Sequence, residues 1–291
     1  MQFRRGTVAA SSALTTLLLL AAGCGGSSDT STAAPAPVEV AETATDAPAE
    51  AAPKIDAAAA RSRGKTAMFV PAPSEFQSAL AAAQVTADLA ARIGANGSLD
   101  GKSKPVVALE TGRRIANVLL ASKSGSKESI SGHMRAAREG LAALGAPDDL
   151  LADVDKVVAD YESGAIGATE LAPSMDLLNQ RVQKGLDQGA GGEIATLVQA
   201  GGWVQGVHLL SSSLAESGQT GDAASLVHQP SVLAHFTSYI QNSSAAKAQD
   251  PDVLAVIAEL ELLNSIAQKP ALEVADLKAV STHTGNILAR F

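Results

Sequence analysis

From about Phe69 to Phe291, apolar residues recur at helical spacing and never settle into the alternation of a strand. In the segment from about Lys104, Val106, Val107, Leu109, Ile115, Val118 and Leu119 carry the apolar pattern, and Glu110 with Arg114 forms an (i, i+4) ion pair. Punctuation between such segments is chemical. Ser74 ahead of Glu75 and Phe76 reads as a cap, and the alanine-rich run behind it stops at Gly94-Ala95-Asn96-Gly97. A third helix starts near Ser126 and stops at Gly145. Pro147 with Asp148 and Asp149 opens a fourth, because proline suits a first turn and carboxylates suit the positive end of a helix. Further helices open near Thr169, at Glu193 and at Asp250-Pro251-Asp252, and the last runs from about Glu273 to Arg290. Starts near 105, 126, 147 and 168 lie about 21 residues apart, as in short antiparallel helices with tight loops. The expectation is an all-α domain over 67–291, either an antiparallel bundle or a short array of helical hairpins of about 8–10 helices. No tetratricopeptide or ankyrin consensus interrupts that reading.

The stretch Glu193–Ser213 differs from its neighbours. At 100° per residue, Ile194, Leu197, Val198, Gly201, Gln205 and His208 share one face, while Trp203, Val207, Leu210 and Leu214 occupy the other. A helix apolar on two sides belongs at the centre of its domain. Gly202 and Gly206 leave a stripe without side chains, and each costs up to about 1 kcal/mol relative to alanine in a helix. Two readings stand: tight packing around a central helix, or a small polar pocket in which Gln205 and His208 face a cleft beside Gly202 and Gly206. The run Gly201-Gly202-Trp203-Val204-Gln205-Gly206 resembles the Gly-Gly-Trp-aliphatic-x-Gly helix of uncharacterised, all-helical bacterial envelope proteins. Gln229-Pro230, Asp250-Pro251-Asp252 and the final amphipathic helix follow in similar order, so the resemblance covers about 70–291. It implies helical architecture and an envelope location, and it brings no activity.

The amino-terminal part is different in kind. Arg4 and Arg5 precede a short apolar run from Leu14 to Ala22, followed by Gly23 and Cys24. That run is shorter than the roughly 20 residues a membrane span needs and reads as the core of a signal peptide over 1–23. Small residues before the lone cysteine resemble the bacterial lipobox, with Ala21 where leucine is preferred. The resemblance implies cleavage before Cys24, a diacylglycerol on its thiol and usually acylation of the new amino terminus. Several acyl chains, at about 0.8 kcal/mol per buried CH₂, anchor firmly without a transmembrane helix. Gly25, rather than aspartate, after the cysteine implies the outer membrane, facing the periplasm, in a Gram-negative host. Residues 24–66 are rich in Ala, Pro, Ser, Thr and Glu and nearly free of large apolar side chains, which is the composition of a disordered tether. A flexible coil of that length reaches roughly 35 Å, and its prolines lengthen it.

Charge and composition narrow the chemistry. The 291 residues include 22 Lys+Arg against 30 Asp+Glu, a formal charge of −8, and cleavage before Cys24 would remove only Arg4 and Arg5 among charged residues. This acidic chain has no basic footprint for nucleic acid and no polybasic patch for lipid headgroups. One cysteine makes neither an internal disulfide nor a multi-cysteine zinc site. His133, His208, His228, His235 and His283 stand in no zincin or haem-attachment motif, and Pro230 separates His228 from His235. No phosphate loop or nucleophile elbow is present; Asn96–Gly101 reads as a turn and the acids from Asp148 to Glu162 as a solvated face.

No catalytic residue, metal ligand or cofactor is therefore assigned. An enzyme without a recognisable motif is the third alternative. The leading expectation is a non-enzymatic, lipid-anchored envelope protein whose helical domain engages a protein partner. The principal alternative is a small-ligand or metal-binding sensor at Gly202, Gln205, Gly206 and His208.

Overall fold

The computed structural model describes residues 70–83, 89–122, 125–189 and 192–291. The signal segment, Cys24 and the tether expected over 24–66 lie outside the described residues. Every regular element among those described is helical: α1 (Pro73–Ala82), α2 (Leu89–Arg92), α3 (Lys104–Ala121), α4 (Lys127–Leu144), α5 (Asp148–Ser163), α6 (Ala168–Gly189), α7 (Gly192–Ser217), a 3₁₀ turn (Asp222–Leu226), α8 (Pro230–Gln241), α9 (Ser244–Lys247), α10 (Pro251–Ala267) and α11 (Val274–Leu288). No described helix is long and apolar enough to cross a membrane.

Local chemistry accounts for most boundaries. The Ser126 hydroxyl accepts the Ser129 N–H at 3.2 Å to start α4, and Gly145 ends it in the left-handed conformation at φ 81°. Asp250 starts α10 by accepting the N–H groups of Asp252 and Val253 at 3.0 and 3.2 Å. The first helix departs from expectation. Pro73, which lacks an N–H, takes the first helical position, so the cap falls at Ala72 rather than Ser74. The Glu75 carboxylate then accepts the Ala72 N–H at 2.7 Å. Where one alanine-rich helix was expected as far as Gly94, α1 ends at Ala82 and α2 begins at Leu89, with 84–88 outside the described residues. The acids of α5 are not simply solvated. Asp153 pairs with Arg181 of α6, while Asp155 and Glu162 pair with Arg138 and Arg135 of α4.

The helices form a bundle around α7. Its broadest contacts are with α3 and α11, and α1, α6 and α8 cover other parts of it. Consecutive helices α3 to α6 pack pairwise, and α10 joins α8 to α11. Both faces of α7 are buried, Ile194, Leu197 and Val198 on one and Trp203, Val207, Leu210 and Leu214 on the other. That is the burial expected of a helix apolar all round. Trp203 lies against Phe236 of α8, ring centres 5.7 Å apart and planes inclined at 54°.

Contact between α3 and α7 is backbone against backbone. A methyl group on Gly112 would lie 1.8 Å from the Val198 carbonyl oxygen, and one on Gly201 would lie 1.9 Å from that of Leu109. No other residue fits at either position without separating the helices. The next helix is drawn close in a milder way: a methyl group on Gly140 of α4 would meet the Thr111 hydroxyl at 2.3 Å.

Within the same stretch, α3 buries charge. Glu110 is fully buried and Arg114 is 2 % exposed. The Glu110 carboxylate receives Arg113 through both oxygens and the Arg114 Nε at 3.0 Å. Arg114 then donates to the Ala136 carbonyl at 2.7 Å, to Glu139 at 2.9 Å and to the Gly97 carbonyl. Gly97 returns its own N–H to Glu110 at 3.2 Å, and Arg113 reaches the Ala95 carbonyl at 3.3 Å. The loop between α2 and α3 is thus held by one carboxylate and two guanidinium groups. The expected Glu110–Arg114 pair is present, with Arg113 as an unexpected third member.

Gly112→Ala and Gly201→Ala each lower stability by about 3 kcal/mol or more in urea unfolding, because backbone must move. Gly132→Ala in α4, where nothing lies within 4 Å of the added carbon, raises it by up to about 1 kcal/mol. Separately, Glu110→Gln leaves two guanidinium groups without their buried counter-charge and costs about 3–5 kcal/mol in the same assay.

Candidate functional site

The four residues singled out on α7 face three different helices. Gly202 turns toward α3, where an added methyl would meet the Gly112 carbonyl oxygen at 3.3 Å and the Ala116 methyl at 3.9 Å. Gln205, 2 % exposed, donates its Nε2 to the Asn117 Oδ1 at 2.8 Å, again on α3. Gly206 makes room for the Phe76 ring of α1, which an added methyl would strike at 2.5 Å. His208 turns to α11. Its Nδ1 lies 3.0 Å from the Ser281 carbonyl and 3.1 Å from the Thr284 hydroxyl. A carbonyl only accepts, so Nδ1 carries the proton and Nε2 the lone pair. None of the four lines a cavity described below.

Burial pushes the His208 pKa below its ordinary value, with the Ser281 carbonyl opposing. His133 is lowered too, first by burial and then by the neighbouring Arg113 charge, and its Nδ1 meets the Asn96 Oδ1 at 3.2 Å. Glu75 and Asp176 move the other way. Burial raises Glu75, the Ala72 N–H opposes this, and the Asp176 charge adds to it. Burial likewise raises Asp176 against a hydrogen bond from Ser74.

Open space lies elsewhere. Between α3, α4, α5 and α6, Ile115, Met134, Leu141, Val154 and Met175 enclose about 10 Å³ of free space, room for one water. A similar gap adjoins Trp203, Val207 and Leu233. Both are lined almost entirely by apolar side chains. A further space is larger and open to one side: a cleft of about 390 Å³ where the first turn of α7 meets the last turns of α8. Glu193, His235, Ser238, Tyr239, Asn242 and Ser243 line it. Glu193 is held there by its Oε1, which accepts both the N–H and the hydroxyl of Ser244 at 3.1 Å. The His235 and Tyr239 rings are 5.9 Å apart. No group of three or more His, Cys, Asp or Glu able to hold a metal occurs among the described residues.

Sequence reasoning passed over this cleft. His235, Tyr239 and Asn242 are spaced to share one face of α8 and were visible as such. Glu193 reaches them only through the tertiary fold. Compared with known proteins, the chain matches no family model, no curated protein and no solved structure.

The His208 shift has a defined sign. Its folded-state pKa is depressed, so its contribution is complete above the ordinary value of 6.5 and is lost as pH falls below it, when the unfolded chain binds the proton first. Glu75 and Asp176, both raised, act in the opposite sense and lose their contribution as pH rises through their folded-state values. Urea unfolding at about pH 7.5 and 5.5 therefore shows a smaller acid loss for His208→Gln than for the parent. The carboxylates and His133 are common to both proteins and cancel.

Proposed function

We propose that this chain is a lipid-anchored protein of the bacterial cell envelope, whose helical domain is a non-enzymatic module for engaging another envelope protein. The observation that carries the reading is the position of the only cysteine, Cys24, directly after an apolar run and the small residues Ala21-Ala22-Gly23. The 24–66 segment supports it, since a Pro- and Ala-rich stretch without large apolar residues holds a domain near a surface without fixing its orientation. Confinement of that kind raises the effective concentration for partners on the same membrane by mass action alone. In a host with two membranes, Gly25 favours the outer one, with the domain in the periplasm.

A sensor of a small ligand or metal at Gln205 and His208 is the weaker reading. Both side chains spend hydrogen bonds on neighbouring helices, and Gly202 and Gly206 are filled by α3 and Phe76.

One experiment tests both parts of the proposal. Cys24→Ala shifts the protein from the membrane to the soluble fraction and abolishes incorporation of radiolabelled palmitate. Cross-linking in intact cells then recovers a protein partner with the parent and not with residues 1–66 fused to an unrelated domain. Retention of Cys24→Ala in the membrane at the parent level sinks the anchor. Equal recovery by the fusion sinks the interaction role.

A further inference from the structure

We propose that the cleft between the start of α7 and the end of α8 binds a small organic cation, an amine or quaternary ammonium group. The inference stands on this cleft alone and does not depend on the lipid anchor. At about 390 Å³ the space falls in the range, roughly 300–1,000 Å³, that small molecules occupy in proteins.

Among the described residues lining the cleft, Glu193 is the only acidic side chain and none is a lysine or arginine. Ser244 holds Oε1 of that carboxylate and leaves Oε2 with no hydrogen-bond partner among the described residues. Asn242 donates its Nδ2 to the Ser238 carbonyl at 2.7 Å, which leaves its Oδ1 as a second acceptor. Asn242 is also the C-cap of α8, where the negative end of the helix dipole adds to the potential. Tyr239 and His235, four residues apart on one helix with ring planes inclined at 44°, both line the cleft. The carboxylate, the amide oxygen, the carboxyl end of α8 and the Tyr239 ring favour positive charge, and they act against the positive amino-terminal end of α7.

A metal ion meets too few ligating side chains here, because no group of three is present among the described residues. An ammonium group needs no such set. It takes one charge-assisted hydrogen bond or close approach to Glu193 and rests its methyl or methylene groups on the rings.

The test titrates choline and 1,5-diaminopentane into the full chain in detergent and follows heat by calorimetry. 3,3-Dimethylbutan-1-ol, the uncharged analogue of choline with the same shape, serves as control. The expected result is saturable binding of the cations with a dissociation constant near or below about 1 mM, and binding of the neutral analogue at least tenfold weaker. Glu193→Gln weakens cation binding by about tenfold or more. That variant disturbs the Ser244 contact, so Tyr239→Leu provides a second arm and weakens choline by about three- to tenfold through loss of the ring face, with helicity checked by circular dichroism. Absence of cation binding overturns the proposal. So does equal affinity for the neutral analogue, or full affinity in folded Glu193→Gln and Tyr239→Leu proteins.

Discussion

The backbone contact between α3 and α7 sets the geometry on which the rest of the bundle depends. With Gly112 and Gly201 touching the facing carbonyls, the two helix axes approach more closely than any pair of side chains would allow. The approach fixes register as well as distance. It brings Asn117 opposite Gln205, and these two groups, fully buried and 2 % exposed, meet at 2.8 Å in an interior with little water to take their place. Elsewhere on α7, Gly206 admits the Phe76 ring, and Gly285 of α11 lies against the His208 ring. Small residues on α7 and its partners thus convert an apolar helix that would slide into one with a single seating.

Buried charge supplies a second constraint from the same helix. Glu110 and Arg114 are as inaccessible as the leucines around them, and desolvating such a pair costs several kcal/mol before any attraction is counted. The geometry offsets this with a dense set of hydrogen bonds: three guanidinium contacts and the Gly97 N–H on the carboxylate, and three further acceptors on Arg114. What the arrangement specifies is the path of a loop. Residues 95–97 have little apolar surface of their own, and their carbonyls are positioned by Arg113 and Arg114. Hydrophobic residues at the same places would bury well and leave those carbonyls unpaired.

Much of the fold was legible because its signals are local. Ser126 and Gly145 bracket α4, Asp250-Pro251-Asp252 opens α10, and the two apolar faces of Glu193–Ser213 announce a central helix. The errors were local too. Ser74 is a sound cap by residue type, yet Pro73 beside it has a stronger claim on the first turn. The candidate site was less legible, since glycine next to polar residues on a helix reads as a close contact first and still admits a pocket. The deciding information is the partner. Gln205 meets a residue 88 positions away, and His208 meets Ser281 on a helix that comes late in the chain. Gly112, whose contact with Val198 completes the close approach that Gly201 makes to Leu109, shows no local sign of its role.

These placements also constrain where chemistry resides in the domain. A helix whose faces are taken up by α3, α1, α8 and α11 has little surface left along its length. Its first turn is different, because there Glu193 accepts from Ser244 at the start of α9 and lines the cleft beside the end of α8. Polar groups with unspent hydrogen-bonding capacity collect at such ends for a general reason: helix middles satisfy their own backbone and bury their side chains, while termini do neither. Interior glycines and buried polar pairs hold α7 in place, and one consequence of its fixed position is that a carboxylate, an amide oxygen and two rings from distant parts of the sequence share a single cleft. Along the Gly-Gly-Trp segment the side chains and glycines are spent on neighbouring helices, so the larger open space adjoins the helix ends instead.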